Sequence, residues 1–135
     1  MVTYVLDASA VLRYLEDEAG GARVAEIIDA HLQGECEAII AAPHWGEIAG
    51  VTGKKRGQEA MALTLSRLSA LGLRVVAADA ERSVRAALIK LERKLPYVDA
   101  FGVELAEGPD RVLVTADFDF KAASRTVKIE FLPAK

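Results

Sequence analysis

Apolar and polar positions alternate between two periods along the chain. Val2 to Leu6 is a short apolar run, too brief for a helix, and polarity returns at Asp7. After Ser9, the residues Ala10, Val11, Tyr14 and Leu15 recur on one helical face, so a strand passes directly into a helix. Past Gly20-Gly21, Val24, Ile27, Ile28 and Leu32 keep three-to-four spacing until Gly34 stops the helix. Ala38 to Ala42 reads as a second strand, and Pro43 ends it and opens a helical stretch through Trp45, Ile48 and Val51. Three glycines, Gly46, Gly50 and Gly53, weaken that stretch, which predicts a short or irregular helix.

Gln58 to Leu71 is a more regular helical pattern, and Leu73 to Ala77 is a third strand. Asp79 is placed to cap an amphipathic helix through Lys94. Pro96 separates it from a helix over Tyr97 to Glu107. Arg111 to Val114 and Thr126 to Phe131 complete the strands. Strands alternating with helices predict an α/β sandwich, three-layered with a mostly parallel central sheet, because parallel neighbours need crossover connections. In such sheets ligands bind beyond the carboxyl ends of the strands, where strand order reverses, and Asp7 and Asp117 both fall at such ends.

Composition narrows the class. A chain of 135 residues, 52% hydrophobic with 4 prolines, is read as one domain over 1–135 with a sizeable core. The single cysteine, Cys36, cannot form an internal disulfide, which suits a reducing cytoplasm. Asp7 interrupts the first apolar run, leaving neither a signal-peptide core nor a membrane span. A net charge of −3 is unlike that of a non-specific nucleic-acid coat, so any polyanion must meet local charge. Lys54-Lys55-Arg56 and the set Arg82, Arg85, Lys90, Arg93 and Lys94 are the candidates, although solvated helix faces and ends explain each, taken alone, more simply.

The acidic residues divide by context. Glu16, Asp17, Glu18, Glu26, Glu81 and Glu92 lie among polar helix positions and need no explanation beyond solubility. Asp7, Glu47, Asp99 and Asp117 are embedded in apolar sequence. Buried carboxylates at ~5 Å in an effective dielectric of ~20 repel by roughly 3 kcal/mol per pair, and no Lys or Arg is embedded beside them. Each alone has a structural explanation: Asp7 or Ser9 as a helix cap, Asp99 at a helix start, Asp117 or Asp119 in a turn. Together they point to a divalent cation. His44 and Glu47, at i and i+3, are placed to share a helix face, but no second such pair exists. The donor set is therefore read as oxygen-only, favouring Mg²⁺ or Mn²⁺ over Zn²⁺.

Four stretches in order, Leu6-Asp7-Ala8-Ser9-Ala10-Val11, the isolated Glu47, Leu95-Pro96-Tyr97-Val98-Asp99-Ala100, and Leu113 to Phe120, together resemble the PIN-domain ribonucleases of the VapC toxin family. The resemblance covers essentially the whole chain. It implies a PIN-like fold, a Mg²⁺-dependent endoribonuclease (Mn²⁺ also serving), and the toxin role in a type II toxin–antitoxin system. The family's acids map to Asp7, Glu47, Asp99 and Asp117 as catalytic metal ligands, with Ser9 and Thr115 supporting and Asp119 ranked below Asp117. The expected partners are an RNA substrate, a cognate antitoxin protein and a second copy in a homodimer, with no membrane. Val11, Tyr14, Leu15, Val24, Ile27 and Ile28 offer apolar material for such partners, unless they pack on the sheet. One departure stands out: many relatives carry Asn three residues after the glutamate, where this chain has Gly50.

Other acidic α/β classes fit less well. An aspartyl phosphatase wants a second Asp two residues after the first, where Ser9 stands. A receiver domain wants acids before the first strand's Asp, where Val5 and Leu6 stand. A dinucleotide-binding fold wants a glycine-rich turn after the first strand, which Asp7-Ala8-Ser9-Ala10-Val11 does not supply. The remaining alternative is a non-catalytic PIN-like module that binds RNA or protein.

Overall fold

The computed structural model describes residues 1–135. Five strands form one sheet: β1 (Thr3–Leu6), β2 (Glu37–Ala41), β3 (Arg74–Val76), β4 (Arg111–Thr115) and β5 (Lys128–Phe131). Their order is β3-β2-β1-β4-β5 and every neighbouring pair is parallel. The first strand is therefore central. The chain builds outward through β2 to β3, then crosses back to the far side of β1 with β4 and β5. The reversal lies between β1 and β4, whose register pairs Leu6 with Val114.

Six helices, α1 (Ala8–Leu15), α2 (Gly21–Leu32), α3 (Ala42–Arg56), α4 (Gln58–Ala70), α5 (Ala80–Arg93) and α6 (Tyr97–Ala106), supply the outer layers. Because side chains alternate across a strand, adjacent residues of the central strands enter opposite cores. Leu6, Ile40 and Val114 join Val11, Val24, Ile27, Ile28 and Ile48 on one face. Val5, Ile39 and Leu113 join Ala86, Phe101, Val103 and Phe120 on the other. The three-layer α/β/α architecture follows the alternation read in the sequence, with a sheet parallel throughout.

One expectation is corrected by packing. The helix after Pro43 is neither short nor irregular: α3 runs 15 residues without a break. Pro43 stands in its first turn, where a missing N–H breaks no intrahelical bond. Ile48 and Thr52 are buried and α4 packs alongside, which offsets the glycines' helix cost. Val11, Val24, Ile27 and Ile28 pack on the sheet, as the simpler reading of them has it, and Tyr14 and Leu15 are partly buried against that core. The exposed apolar residues lie elsewhere, with Val84, Leu88 and Leu91 in a row along α5.

The acidic cleft

β1 ends at Leu6, and Asp7 is at once the last residue of that edge and the N-cap of α1. Its carboxylate accepts from the Ala10 backbone N–H at 2.9 Å, so the capping explanation is correct without being sufficient. Ser9 Oγ lies 2.8 and 2.9 Å from the two Asp7 oxygens, and Thr115 Oγ1 donates to Oδ2 at 2.6 Å. Both hydroxyls are themselves held. Ala116 N–H donates to Ser9 Oγ and Asp117 N–H donates to Thr115 Oγ1, each at 2.9 Å. Two backbone donors from the end of β4 are thus relayed through hydroxyls onto one carboxylate, which is only 3% exposed.

The other acids arrive from three elements. Glu47 projects from α3, Asp99 lies in the first turn of α6, and Asp117 caps the short 3₁₀ helix Phe118–Ala123 by accepting the Asp119 N–H at 2.9 Å. Asp7, Ser9, Glu47, Asp99 and Asp117 line one cleft of about 430 Å³ at the carboxyl edge of the sheet, and no Lys or Arg lines it. Thr115 is fully buried beneath it. Asp119 is exposed and faces a neighbouring groove of about 640 Å³, together with Asp117, Phe118, Arg13, Lys55 and Lys135. The two spaces share Ser9, Leu12, Val51 and Asp117, so they form a continuous trough.

Electrostatically the cleft is unbalanced. Burial raises the Asp7 carboxyl above its ordinary value, against the lowering by Thr115, His44, Ala10 and Ser9. Glu47 is raised too, first by desolvation and then by repulsion from Asp99 and Asp7, with His44 opposing. Carboxylates whose anionic forms are disfavoured in the protein alone, with open lone pairs facing one cleft, fit a hard divalent cation.

The sequence reading set His44 aside, and the structure brings it into the cluster. Its ring is 1% exposed, with Nε2 3.4 Å from Asp99 Oδ1 and 3.8 Å from Glu47 Oε1. One ligand atom each from His44, Glu47 and Asp99 lie within 4.8 Å of one another. The signal was its position one turn before Glu47, but that spacing cannot report the approach of α6. The basic candidates fare differently. Arg82 and Arg85 pair with Glu104 and Glu107 at 2.8 and 2.6 Å, and Lys55 and Arg56 with Glu16 at 3.4 and 3.0 Å. A second cleft of about 440 Å³ beside Arg82 and Glu104 is therefore internally neutralised.

A parallel sheet with four acids at its carboxyl edge defines a class of acidic-site α/β domains. The model of the PIN domain matches residues 4–125, and the chain belongs to that family. No curated protein sequence matches it. Among solved structures, DNA-bound VapBC from Salmonella typhimurium superposes with a TM-score of 0.72 at 16% identity, over 97% of this chain and 98% of that one. VapBC2 from Rickettsia felis, bound to a promoter DNA fragment, gives 0.72 at 14% identity over 98% and 100%. VapC20 from Mycobacterium tuberculosis, a sarcin-ricin loop cleaving toxin, gives 0.57 at 19% identity over 96% and 99%. These likenesses establish the shared PIN-like fold.

Proposed function

We propose that the protein, as a single PIN domain over 1–135, is a Mg²⁺-dependent endoribonuclease and the toxin of a type II toxin–antitoxin pair. The observation that carries this reading is the convergence of Asp7, Glu47, Asp99 and Asp117 on a cleft with no cationic side chain in its lining. Family membership and the fold likeness to VapBC complexes and to an RNA-cleaving VapC protein support it. Asp7, Asp99 and Asp117 would hold Mg²⁺, or Mn²⁺ in its place, with Glu47 completing the set. Such an ion, when bound, supplies an acidified water and neutralises charge on the scissile phosphate.

The chain's own residues do the rest. Ser9 and Thr115 hold Asp7 in place through the relayed backbone donors. Glu47, half-exposed and raised in proton affinity, orients the attacking water and accepts its proton. Arg13, which bonds only the Ala19 and Pro133 carbonyls at the adjoining groove, attracts the phosphate backbone. The exposed rings of Tyr97 and Phe118 flank the cleft and its groove, where unpaired bases can stack. An antitoxin covers the same trough, and a second copy of the chain pairs through the exposed α5 row. No helix is long and apolar enough to cross a membrane, in keeping with action in the cytoplasm.

The test is to induce the wild type and Asp7→Asn separately in a bacterial host without antitoxin and map new RNA 5′ ends. Discrete ends with the wild type alone are expected. Folded wild-type protein that leaves RNA intact, both in the host and when purified with Mn²⁺, would reduce the chain to a binding module.

A further inference from the structure

His44 is the one buried polar side chain of the cleft with an unpartnered atom. Nδ1 has no hydrogen-bond partner, while Nε2 points at the Asp99 and Glu47 carboxylates. An ionised carboxylate only accepts, so the 3.4 Å contact with Asp99 is attractive only if Nε2 carries the proton. Nδ1 is then the ring atom left without a partner. The opposite tautomer would bury an N–H without an acceptor and set two anions against a lone pair. Imidazoles that ligate metals through one nitrogen donate their other N–H to an acceptor, and His44 Nδ1 has none.

The space for the ring is made by a second helix. On α6, one turn beyond Asp99, stands Gly102, where a Cβ would lie 3.0 Å from His44 Cε1 and 3.6 Å from Nδ1. A side chain there would press on the imidazole, so its absence gives the ring room between the two helices. On the other side of Glu47, Gly50 faces open space, so nothing supports that carboxylate from one turn later.

We propose that His44 is a positioning residue: as a donor through Nε2, it holds the Asp99 carboxylate toward the ion without ligating the ion. It orients Asp99 through Oδ1, leaves Oδ2 for coordination, and places a donor between Asp99 and Glu47. This rests on the metal-dependent reading above.

The test uses the full chain and Mn²⁺ alone, comparing wild type, His44→Gln, His44→Leu and Asp7→Asn. Mn²⁺ affinity is followed by electron paramagnetic resonance, and directly bound nitrogen by pulsed ¹⁴N coupling. His44→Leu is expected to weaken Mn²⁺ binding about tenfold, the scale on which outer hydrogen-bond partners act. His44→Gln, whose amide N–H extends as far as Nε2, should recover most of it. Wild-type Mn²⁺ should show no coupling from a ligated imidazole. Should His44→Leu not fold, His44→Asn, with an amide too short to reach Asp99, takes its place.

Undiminished affinity in His44→Leu or His44→Asn overturns the proposal, as does strong ¹⁴N coupling that His44→Gln removes. If Asp7→Asn loses Mn²⁺ while the His44 variants do not, only this inference fails. If folded wild type binds no Mn²⁺, the metal-dependent reading fails and takes the inference with it.

Discussion

Asp7 serves two purposes that pull on its charge in the same place. As a cap it accepts the Ala10 N–H, and as a cleft acid it is buried beside other acids, so the fold holds its anion at a cost. Between the ordinary carboxyl value of 3.8 and the raised native one, folded Asp7 keeps a proton that the unfolded chain has released. Stability contributed by this residue therefore falls as pH rises through that interval and levels off above it. Glu47 acts with the same sign from its ordinary 4.5. Glu18, lowered by its Lys135 partner, acts oppositely, but that ion pair lies at the surface and is screened. In chelator, denaturant unfolding from pH 4 to 8 is expected to show wild type losing stability with rising pH. Asp7→Asn, which keeps the cap oxygen but not the charge, should give a flatter profile and be the more stable protein at neutral pH. A wild type that gains stability over this range relative to the variant would contradict the burial argument. Divalent cation added at 100 times its dissociation constant should return about 2.7 kcal/mol to the wild type only.

Between elements, glycine positions separate close approach from mere tolerance. A Cβ at Gly21 would lie 2.5 Å from the Arg13 carbonyl oxygen and 3.3 Å from Tyr14 Cα, so α2 meets the backbone of α1 there. Gly21→Ala must push the helices apart and is expected to cost about 1–3 kcal/mol in urea unfolding. Gly46, exposed on α3 with no atom near its Cβ position, is the contrast. Gly46→Ala should stabilise by about 0.5–1 kcal/mol, because alanine loses less backbone entropy in a helix. Equal effects from the two substitutions would show that helix propensity, not the α1–α2 crossing, dominates. The sequence placed all three glycines of α3 correctly as propensity defects. It could not weigh them against the burial of Ile48 and Thr52, because that burial depends on where the sheet and α4 lie.

For the whole molecule, charge and apolar surface are distributed in a way no single element reveals. Arg82 and Arg85 read as candidate phosphate contacts, yet α6 presents Glu104 and Glu107 to them, and their charges are neutralised within the fold. Also exposed on α5 is an apolar row: Val84, Leu88 and Leu91 recur at helical spacing on one face. Leu88→Glu is expected to halve the mass seen by light scattering and leave the unfolding midpoint of the monomer nearly unchanged. A wild type that is already monomeric at micromolar concentration, or a variant that stays dimeric, would remove α5 as the pairing face.

By itself the sequence determined the order of strands and helices, because period-two and period-3.6 patterns are local. It also singled out four acids, Asp7, Glu47, Asp99 and Asp117, by their apolar neighbours, but of these only Asp7 is buried and Glu47 stands half-exposed. The capping residues Asp7 and Asp79 were legible for the same reason, since a cap carboxylate and the N–H that donates to it lie three residues apart. Only the tertiary structure decided which side chains stand between those acids. Ser9 and Thr115 meet on Asp7 from positions 106 residues apart, and His44 reaches Asp99 across 55. The room for that imidazole comes from an absent side chain at Gly102, on a helix that sequence spacing cannot bring near. Contacts of that kind are set by how layers pack across the sheet, and packing is a property of the whole chain.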